Sequence, residues 1–201
     1  MDKINYDRLM MEEVSSFNGE KKTILLHSCC GPCSSAVIER LREYFDITVI
    51  YYNPNIEPNK EYEKRKNVQI GLLNELGITY LDVPYDNEVF RDLTKGLEEE
   101  PEGGARCHVC YGIRLKYTAN LAKEKGFDYF CTTLTVSPYK NSQVINQIGL
   151  SIEKEIGVKY LLSDFKKKDG YKRSVELSEK YNLYRQNYCG CLFAKDTSFE
   201  D

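Results

Sequence analysis

Short apolar runs alternate with segments of helical spacing along almost the whole chain. The apolar runs begin near positions 23, 47, 78, 127 and 158, and the segments between them repeat their apolar side chains every three or four residues. Strands that alternate with helices form a mostly parallel sheet covered by helices on both faces. We therefore expect a single α/β domain over residues 1–201, a Rossmann-like, doubly wound sheet with a cysteine-rich C-terminal segment.

Length and charge narrow the functional classes. A chain of 201 residues buries enough apolar surface for one full core, and no repeat, low-complexity stretch or linker interrupts it. The formal net charge of −3 argues against a protein that coats nucleic acid without specificity, because such binding requires neutralised phosphates. A local basic patch remains compatible with this charge.

The segment before the first apolar run carries no targeting signal. Residues 1–22 are a polar, acidic extension without the apolar stretch of a signal peptide. The longest apolar runs, around residues 24–26 and 47–52, are too short to span a bilayer. We expect a cytoplasmic protein that does not contact a membrane.

The cysteines are strongly grouped. Seven of the eight fall into three groups: Cys29, Cys30 and Cys33; Cys107 and Cys110; Cys189 and Cys191. In a reducing compartment, grouped cysteines more often bind metal or perform redox chemistry than form structural disulfides. Cys131 stands alone in a strand-like run, and we expect it to be a buried apolar residue.

Two of these groups have the composition of an iron–sulfur site. Cys29 and Cys30 are neighbours at the start of a predicted helix, whose positive end favours thiolates. The Cys-x-x-Cys spacing of Cys107 and Cys110 occurs in zinc and iron–sulfur sites alike. Four thiolates from these two groups meet the requirement for a 4Fe–4S cluster. A structural zinc site and free or regulatory thiols are the alternatives.

The remaining grouped cysteines allow two interpretations each. One glycine separates Cys189 from Cys191, so a disulfide between them would be strained and labile, which suits redox exchange. Alternatively, this pair binds a second metal beside the cluster. Cys33 is either a ligand of an extra iron or a bystander.

The longer motifs of the chain resemble the epoxyqueuosine reductase QueH family. The resemblance covers roughly residues 23–194 and rests on CCGPC, NPNIEP with EYEKR, RCHVCYGIRL, TTLTVSPYKNS and DFKKKDGYKRSVELSEKYNLYRQNYCGC. It implies a nucleotide-hydrolase-like α/β fold and the last step of queuosine synthesis, in which the epoxide of epoxyqueuosine at the tRNA wobble position is reduced.

The resemblance also implies a cofactor and its ligands. The family carries a 4Fe–4S cluster with a further iron nearby, so Cys29, Cys30, Cys107 and Cys110 would hold the cluster. The resemblance assigns Cys189 and Cys191 as the redox-active pair. Some members of the family carry an acidic residue where this chain has Cys33, which would change the surroundings of the second iron.

Epoxide reduction needs two electrons and two protons. A 4Fe–4S cluster passes one electron at a time, so a second reservoir is expected. The Cys189 and Cys191 dithiol, or an adjacent iron that acts as a Lewis acid on the oxygen, would complete the set, with an electron donor that the sequence does not identify. Tyr139, Asp164 and His27 are candidate acids near predicted strand ends. In the alternative interpretation, His27 only bonds to a loop and Asp164 only orients one.

A basic segment offers contacts to tRNA. The candidate phosphate-binding residues are Lys140, Lys166, Lys167, Lys168, Lys172, Arg173 and Arg185, with Tyr171, Tyr184 and Tyr188 as rings on which an extruded base could stack. A solvated charged face is the alternative interpretation of this run.

Three functional classes remain compatible with the sequence. The first is the reductase. The second is another tRNA-modifying enzyme of this fold, such as an ATP-using sulfur transferase, although CCGPCS replaces the glycine- and serine-rich phosphate loop that ATP would need. The third is a zinc-stabilised RNA-binding module.

Overall fold

Five parallel strands form one sheet in the order β3-β2-β1-β4-β5 in the computed structural model, which describes residues 3–194. The strands are β1 Lys22–His27, β2 Phe45–Ile50, β3 Thr79–Leu81, β4 Tyr129–Thr132 and β5 Lys159–Tyr160. Strands β2 and β3 lie on one side of β1. Strands β4 and β5 lie on its other side, so the direction in which strands are added reverses between β3 and β4. The expected doubly wound α/β sheet is confirmed.

The described part of the chain contains seven α-helices. They are α1 Tyr6–Ser15, α2 Gly31–Leu41, α3 Asn59–Leu76, α4 Asn87–Leu93, α5 Ala105–Lys125, α6 Ser142–Ile156 and α7 Gly170–Lys180. Two 3₁₀ turns, Thr133–Val136 and Leu192–Ala194, follow β4 and end the described chain. No helix in the range 3–194 has the length and apolarity that a membrane crossing requires.

Local signals explain where several helices begin and end. The Asn141 side chain accepts a hydrogen bond from the Gln143 N–H at 3.0 Å, which caps α6. Gly77 ends α3 in the left-handed conformation that glycine adopts without strain. The sequence suggests Asn59 as the cap of α3, but Asn59 is its first helical residue and Pro58 precedes it in extended conformation.

The two faces of the sheet bury separate apolar cores. Ile24 and Leu26 of β1 contribute to the core that contains Val37 of α2. Leu25, which points to the opposite face, belongs to the core that contains Leu115 of α5. Both faces of the parallel sheet are covered, as this architecture requires.

The N-terminal segment belongs to the folded core. Met10 and Val14 of α1 and the following Phe17 are buried in the same cluster as Ile24. Residues 3–22 therefore complete one apolar layer of the sheet.

Three element boundaries differ from those that the local pattern predicts. Residues 106–126 show helical spacing only in their later part, but α5 starts at Ala105, so Cys107 and Cys110 lie on its first turns. The composition of residues 166–174 predicts a basic loop, but α7 starts at Gly170 and takes in Lys172 and Arg173. The apolar run of residues 158–165 predicts a longer strand than the two residues of β5.

Two helical glycines allow a matched test of packing. A methyl group at Gly149 of α6 would overlap the Tyr160 ring, whereas one at Gly112 of α5 would meet nothing within 4 Å. We predict that Gly149→Ala lowers the free energy of unfolding by about 1–3 kcal/mol, because it overpacks the core. Gly112→Ala should raise it by about 0.5–1 kcal/mol, because alanine favours the helix. Urea unfolding monitored by circular dichroism measures both, and equal effects would contradict the described packing.

Candidate active site

A cavity of about 260 Å³ lies beyond the carboxyl ends of the central strands. The residues that line it include four cysteines, Cys29, Cys30, Cys33 and Cys189, and three cations, Arg114, Lys140 and Arg185. Cys29 and Cys30 follow β1, and Lys140 follows the 3₁₀ turn after β4. The cavity thus occupies the switch point of the sheet, where ligands bind in open α/β folds.

The first thiol group lies at the beginning of α2. The sulfur atoms of Cys29, Cys30 and Cys33 lie within 4.8 Å of one another, close enough for one metal ion. Cys30 is the residue that precedes the helix, and Pro32 occupies its first turn. The free N–H groups at this helix end favour negative charge on the thiols.

Hydrogen bonds among the three thiols shift their pKa values in opposite directions. Hydrogen bonds from the Cys29 and Cys33 thiols hold the pKa of Cys30 well below its usual value. Donation to Cys30, over a distance of 3.9 Å between the sulfur atoms, raises the pKa of Cys29. The hydrogen bonds to Cys29 and Cys30 raise the pKa of Cys33 well above its usual value. Among these three thiols, the hydrogen bonds therefore favour ionisation of Cys30.

The second thiol group forms on α5. Cys110 packs with Phe90, Cys189 and Cys191 in one apolar cluster. Burial raises the pKa of Cys110 to about 12 and that of Cys191 to about 11. Burial also raises the pKa of Cys107, whose sulfur accepts a hydrogen bond from the Gly103 N–H at 3.2 Å. All eight cysteines are free thiols in the structure, so Cys189 and Cys191 are described in their reduced form.

The structure therefore brings Cys107 and Cys110 together with Cys189 and Cys191, and keeps the first thiol group compact. The cavity contacts the first group and Cys189, while Cys110 and Cys191 are buried beside it. Cys131 lies fully buried in β4, where burial raises its pKa to about 12, and its expected role as a buried residue agrees with this position.

Arg114 connects the surroundings of the two thiol groups. Its side chain is 2% exposed and lines the cavity, and its Nε donates to the Cys110 carbonyl at 3.1 Å. Burial alone would lower its pKa, but nearby cysteines, Cys110 and Cys189 foremost, outweigh burial and raise it. The same balance raises the pKa of Lys140, which is influenced by Cys189, Tyr111 and Cys29.

The segment that carries Cys189 is attached to α3 by Arg65. Arg65 is 2% exposed, pairs with Glu61 at 2.7 Å, and donates to the carbonyls of Cys189 and Tyr188 at 3.2 and 3.4 Å. Gly190 has a φ of +116°, and a Cβ atom there would lie 2.8 Å from Ile56. The glycine between the two cysteines is therefore required by the backbone and by the close approach of its neighbours.

The three candidate acids occupy different environments. Both ring nitrogens of His27 have partners, Thr132 Oγ1 at 2.9 Å and the Tyr52 carbonyl at 3.0 Å, and the ring is fully buried. Burial lowers its pKa to about 4, so His27 is neutral near pH 7 and has a structural role. Asp164 pairs with Lys166 at 3.0 Å and does not line the cavity. Tyr139 does line the cavity and is 53% exposed.

The candidate phosphate-binding residues are not all near the cavity. Arg185 lines it and donates to the Tyr171 hydroxyl at 3.4 Å. Arg173 instead forms ion pairs with Glu39 and Glu176, each at 2.9 Å, beside a separate cleft that Lys167 and Lys168 also line. Lys172 is exposed on α7.

The tyrosines divide into supporting and exposed rings. The Tyr184 hydroxyl donates to Glu61 at 3.2 Å, and the Arg65 guanidinium lies 4.8 Å from the Tyr188 ring centre. Both rings are engaged in holding the C-terminal segment. Tyr171, at 39% exposure, and Tyr139 stand at the cavity and can contact a ligand.

Several polar residues of this site were not predicted from the sequence. Among them, Arg65, Arg114 and Gln186 lie at the cavity or behind it. Helical spacing offered one usable signal, because Arg114 follows Cys110 by four residues and so shares its face of α5. The other two residues are positioned by contacts between distant parts of the chain.

The parallel sheet and the thiol-lined cavity define a doubly wound α/β protein with a ligand site at the switch point of the sheet. A predicted subunit of tRNA methyltransferase from Methanocaldococcus jannaschii aligns with a TM-score of 0.54 and 15% identity, over 79% of this chain and 74% of that one. The U34-tRNA thiolase NcsA from Methanococcus maripaludis, solved with its [4Fe-4S] cluster, aligns with a TM-score of 0.55 and 16% identity, over 93% and 69%. At these identities the likeness establishes the nucleotide-hydrolase-like fold alone.

Sequence comparison identifies the family. The family model described as epoxyqueuosine reductase QueH matches residues 24–197. Proteins named epoxyqueuosine reductase QueH are 48% identical in Streptococcus pyogenes, over 96% of this chain and 78% of theirs, and 45% identical in Staphylococcus epidermidis, over 96% and 85%. The relative from Thermotoga maritima is 38% identical over 86% of this chain and 90% of its own. The chain belongs to the epoxyqueuosine reductase QueH family, a family of oxidoreductases.

The role of Arg65 in fixing the C-terminal segment is testable. We predict that Arg65→Gln speeds amide hydrogen exchange of residues 188–191 and of Glu57, whose N–H donates to the Gly190 carbonyl. The loss of charge-assisted hydrogen bonds should cost about 1.5–3 kcal/mol of local stability. Lys60→Gln, on an exposed position of the same helix, is the control. Unchanged exchange in Arg65→Gln would contradict this role.

Proposed function

We propose that this protein is an epoxyqueuosine reductase that acts on tRNA. In the reaction both C–O bonds of the epoxide break and a carbon–carbon double bond forms, while two electrons and two protons convert the oxygen to water. The observation that carries the proposal is the family match over residues 24–197, which coincides with a domain whose cavity is lined by thiols. With tRNA as substrate, we place the protein in the cytoplasm.

We propose that Cys29, Cys30, Cys107 and Cys110 hold a 4Fe–4S cluster. Support comes from the donor set, which is made of thiols, and from the nearby cations Arg114 and Lys140, which offset the negative charge of such a centre. The unpartnered Nη2 of Arg114 gives further support, because a buried N–H without an acceptor fits a site that gains one. When bound, the cluster supplies electrons one at a time.

Cys33 suits an additional iron next to the cluster. Its sulfur lies within 4.8 Å of those of Cys29 and Cys30, so the three thiols meet the requirement for a single metal ion. We propose that Cys33 would be a ligand of this additional iron, beside the thiols of Cys29 and Cys30. A thiolate in place of the acidic residue of other members would give the iron a softer ligand.

A redox-active pair and an acid complete the proposed reaction. We propose that Cys189 and Cys191 act as a dithiol whose oxidation to a disulfide releases the two electrons and two protons that the reaction consumes, and that an electron donor of unidentified structure then returns two electrons to the disulfide. In support, Cys189 lines the cavity, and a single glycine links it to Cys191. Tyr139 is the proposed donor of the proton to the departing oxygen, since among the three candidate acids it is the one that lines the cavity. Asp164 instead positions the Lys140 segment through Lys166, whose Nζ contacts the Lys140 carbonyl at 3.3 Å.

The cavity rim is the proposed contact with the tRNA. Tyr171 and Tyr139 offer exposed rings for an extruded wobble base, and Arg185 and Lys140 offer charge for the adjoining phosphates. Lys166, Lys167 and Lys172 extend this surface along the start of α7. The charge of Arg173 is already engaged by Glu39 and Glu176, so we expect it to contribute little.

Removal of one proposed cluster ligand tests the cofactor. Anaerobically purified protein should be brown and contain iron and acid-labile sulfide, with iron in excess because of the additional iron, and it should reduce epoxyqueuosine in tRNA. We predict that Cys110→Ser loses most of the iron and the activity, because the thiolate is a ligand. Cys131→Ala, which alters a buried thiol outside the site, should keep both. Zinc in place of iron in the wild type, or full iron and activity in Cys110→Ser, would refute the assignment.

The rim residues allow a test of tRNA binding. The logarithm of tRNA affinity falls with the logarithm of salt concentration. We predict that Arg185→Gln makes this negative slope shallower by about 0.7–0.9, because one phosphate contact is lost. Tyr171→Ala should weaken binding by about 1–3 kcal/mol without changing this slope, because it removes stacking. Arg173→Gln is the matched control on the same side of the molecule. Fluorescence anisotropy with labelled tRNA at several salt concentrations measures all three, and a slope that becomes shallower only in Arg173→Gln would contradict the assignment.

A further inference from the structure

Arg114 is a buried cation whose hydrogen-bonding capacity is only partly used. Its Nε donates to the Cys110 carbonyl at 3.1 Å, and its Nη1 reaches Asn53 Oδ1 at 3.5 Å. Its Nη2 is buried and has no hydrogen-bond partner among residues 3–194. The side chain as a whole is 2% exposed. A guanidinium carries N–H donors in a fixed fork, and here one arm of the fork is unused.

The charge of Arg114 has no carboxylate beside it. Among residues 3–194, no ion pair joins Arg114 to an aspartate or glutamate. A buried cation without a counter-charge costs several kcal/mol, so a negative partner is expected nearby. The groups that act on it from nearby are Cys110, Cys189, Tyr111 and Cys29. The negative partner must therefore come from the thiol groups or from what they bind.

The other buried arginines are satisfied differently. Arg65 pairs with Glu61 at 2.7 Å and with two backbone carbonyls. Arg106 donates to the carbonyls of Leu97, Glu98 and Glu100, and although its Nε lacks a partner, it does not line the cavity. Both therefore hold backbone segments in place. Arg114 differs because it combines an unused donor with a position on the cavity.

We propose that Arg114 is a positioning residue for the sulfur-bound centre: its unused N–H donates to a sulfur of that centre, and its charge stabilises the reduced form. The proposal rests on the proposed function, which supplies the centre. Reduction adds negative charge, and hydrogen bonds to sulfur and a nearby positive charge both raise the reduction potential of an iron–sulfur centre. Arg114 would thus make the centre easier to reduce by a cellular donor.

Three substitutions separate the two contributions. Arg114→Lys keeps the charge and loses the fork, Arg114→Gln keeps an N–H and loses the charge, and Arg114→Met loses both. Lys116→Gln is the control, because it removes an exposed charge from the same helix, where Lys116 pairs with Glu155. Iron and sulfide content, circular dichroism and a redox titration monitored by electron paramagnetic resonance are measured without tRNA, so that the readout does not depend on activity.

We expect a lower potential in all three Arg114 variants, with Arg114→Met lowest and Lys116→Gln unchanged. A loss of about tenfold in the reduction equilibrium, which is about 59 mV for a one-electron couple, is expected for Arg114→Gln. Loss of iron from folded Arg114→Gln but not from Arg114→Lys would also support the proposal. Both variants keep N–H donors, but only Arg114→Lys keeps the positive charge.

Potentials equal to that of the wild type in Arg114→Lys and Arg114→Gln would overturn the proposal, even if reductase activity fell. This pair still decides the matter if Arg114→Met does not fold. Failure of the proposed function has a different result, since the wild-type protein would then lack the iron and sulfide or would not reduce epoxyqueuosine in tRNA.

Discussion

The pairing of β1 with both β2 and β4 is the constraint on which the site depends. Because β1 is central and parallel to both neighbours, the turn after it is reached by the turns after β2 and β4. Asn53 donates to the Ser28 carbonyl at 2.8 Å from one side, and the Cys29 N–H donates to Thr133 at 3.0 Å from the other. The first thiol group is therefore held by the rigid sheet, as a preorganised site requires.

Two buried arginines near this site differ in the groups that compensate their charge. Arg65 of α3 and Arg114 of α5 are both buried, on helices that contribute to the cores on opposite faces of the sheet, yet their charges are compensated differently. Arg65 has a carboxylate, Glu61, and its remaining donors hold the backbone of residues 188–189. Arg114 relies on the sulfur groups themselves. The same burial therefore yields a structural cation in one place and a cation available to the site in the other.

The sequence contained enough local information for the fold and for the grouping of the cysteines. Apolar runs that alternate with helical spacing predicted the doubly wound sheet, and the Gly-Pro turn placed Cys29 and Cys30 at the end of β1. Local patterns could not show that Cys110 packs with Cys191, or that Arg173 pairs with Glu39, which lies 134 positions away. Those contacts arise from packing between distant elements. The start of α5 was missed because the glycines of the preceding loop concealed a helix that tertiary contacts stabilise.

The C-terminal segment gives the cavity its outer wall without regular secondary structure. Residues 185–189 line the cavity but lie outside the helices and strands of the described chain. The segment is held instead by Arg65, by the Gly190 carbonyl bonded to Glu57, and by the Tyr188 ring. Segments held by a few side-chain contacts open at lower free energy than a central sheet. We therefore expect residues 185–189 to be the part of the cavity wall that opens most readily, while the thiols at the end of β1 are held by the sheet.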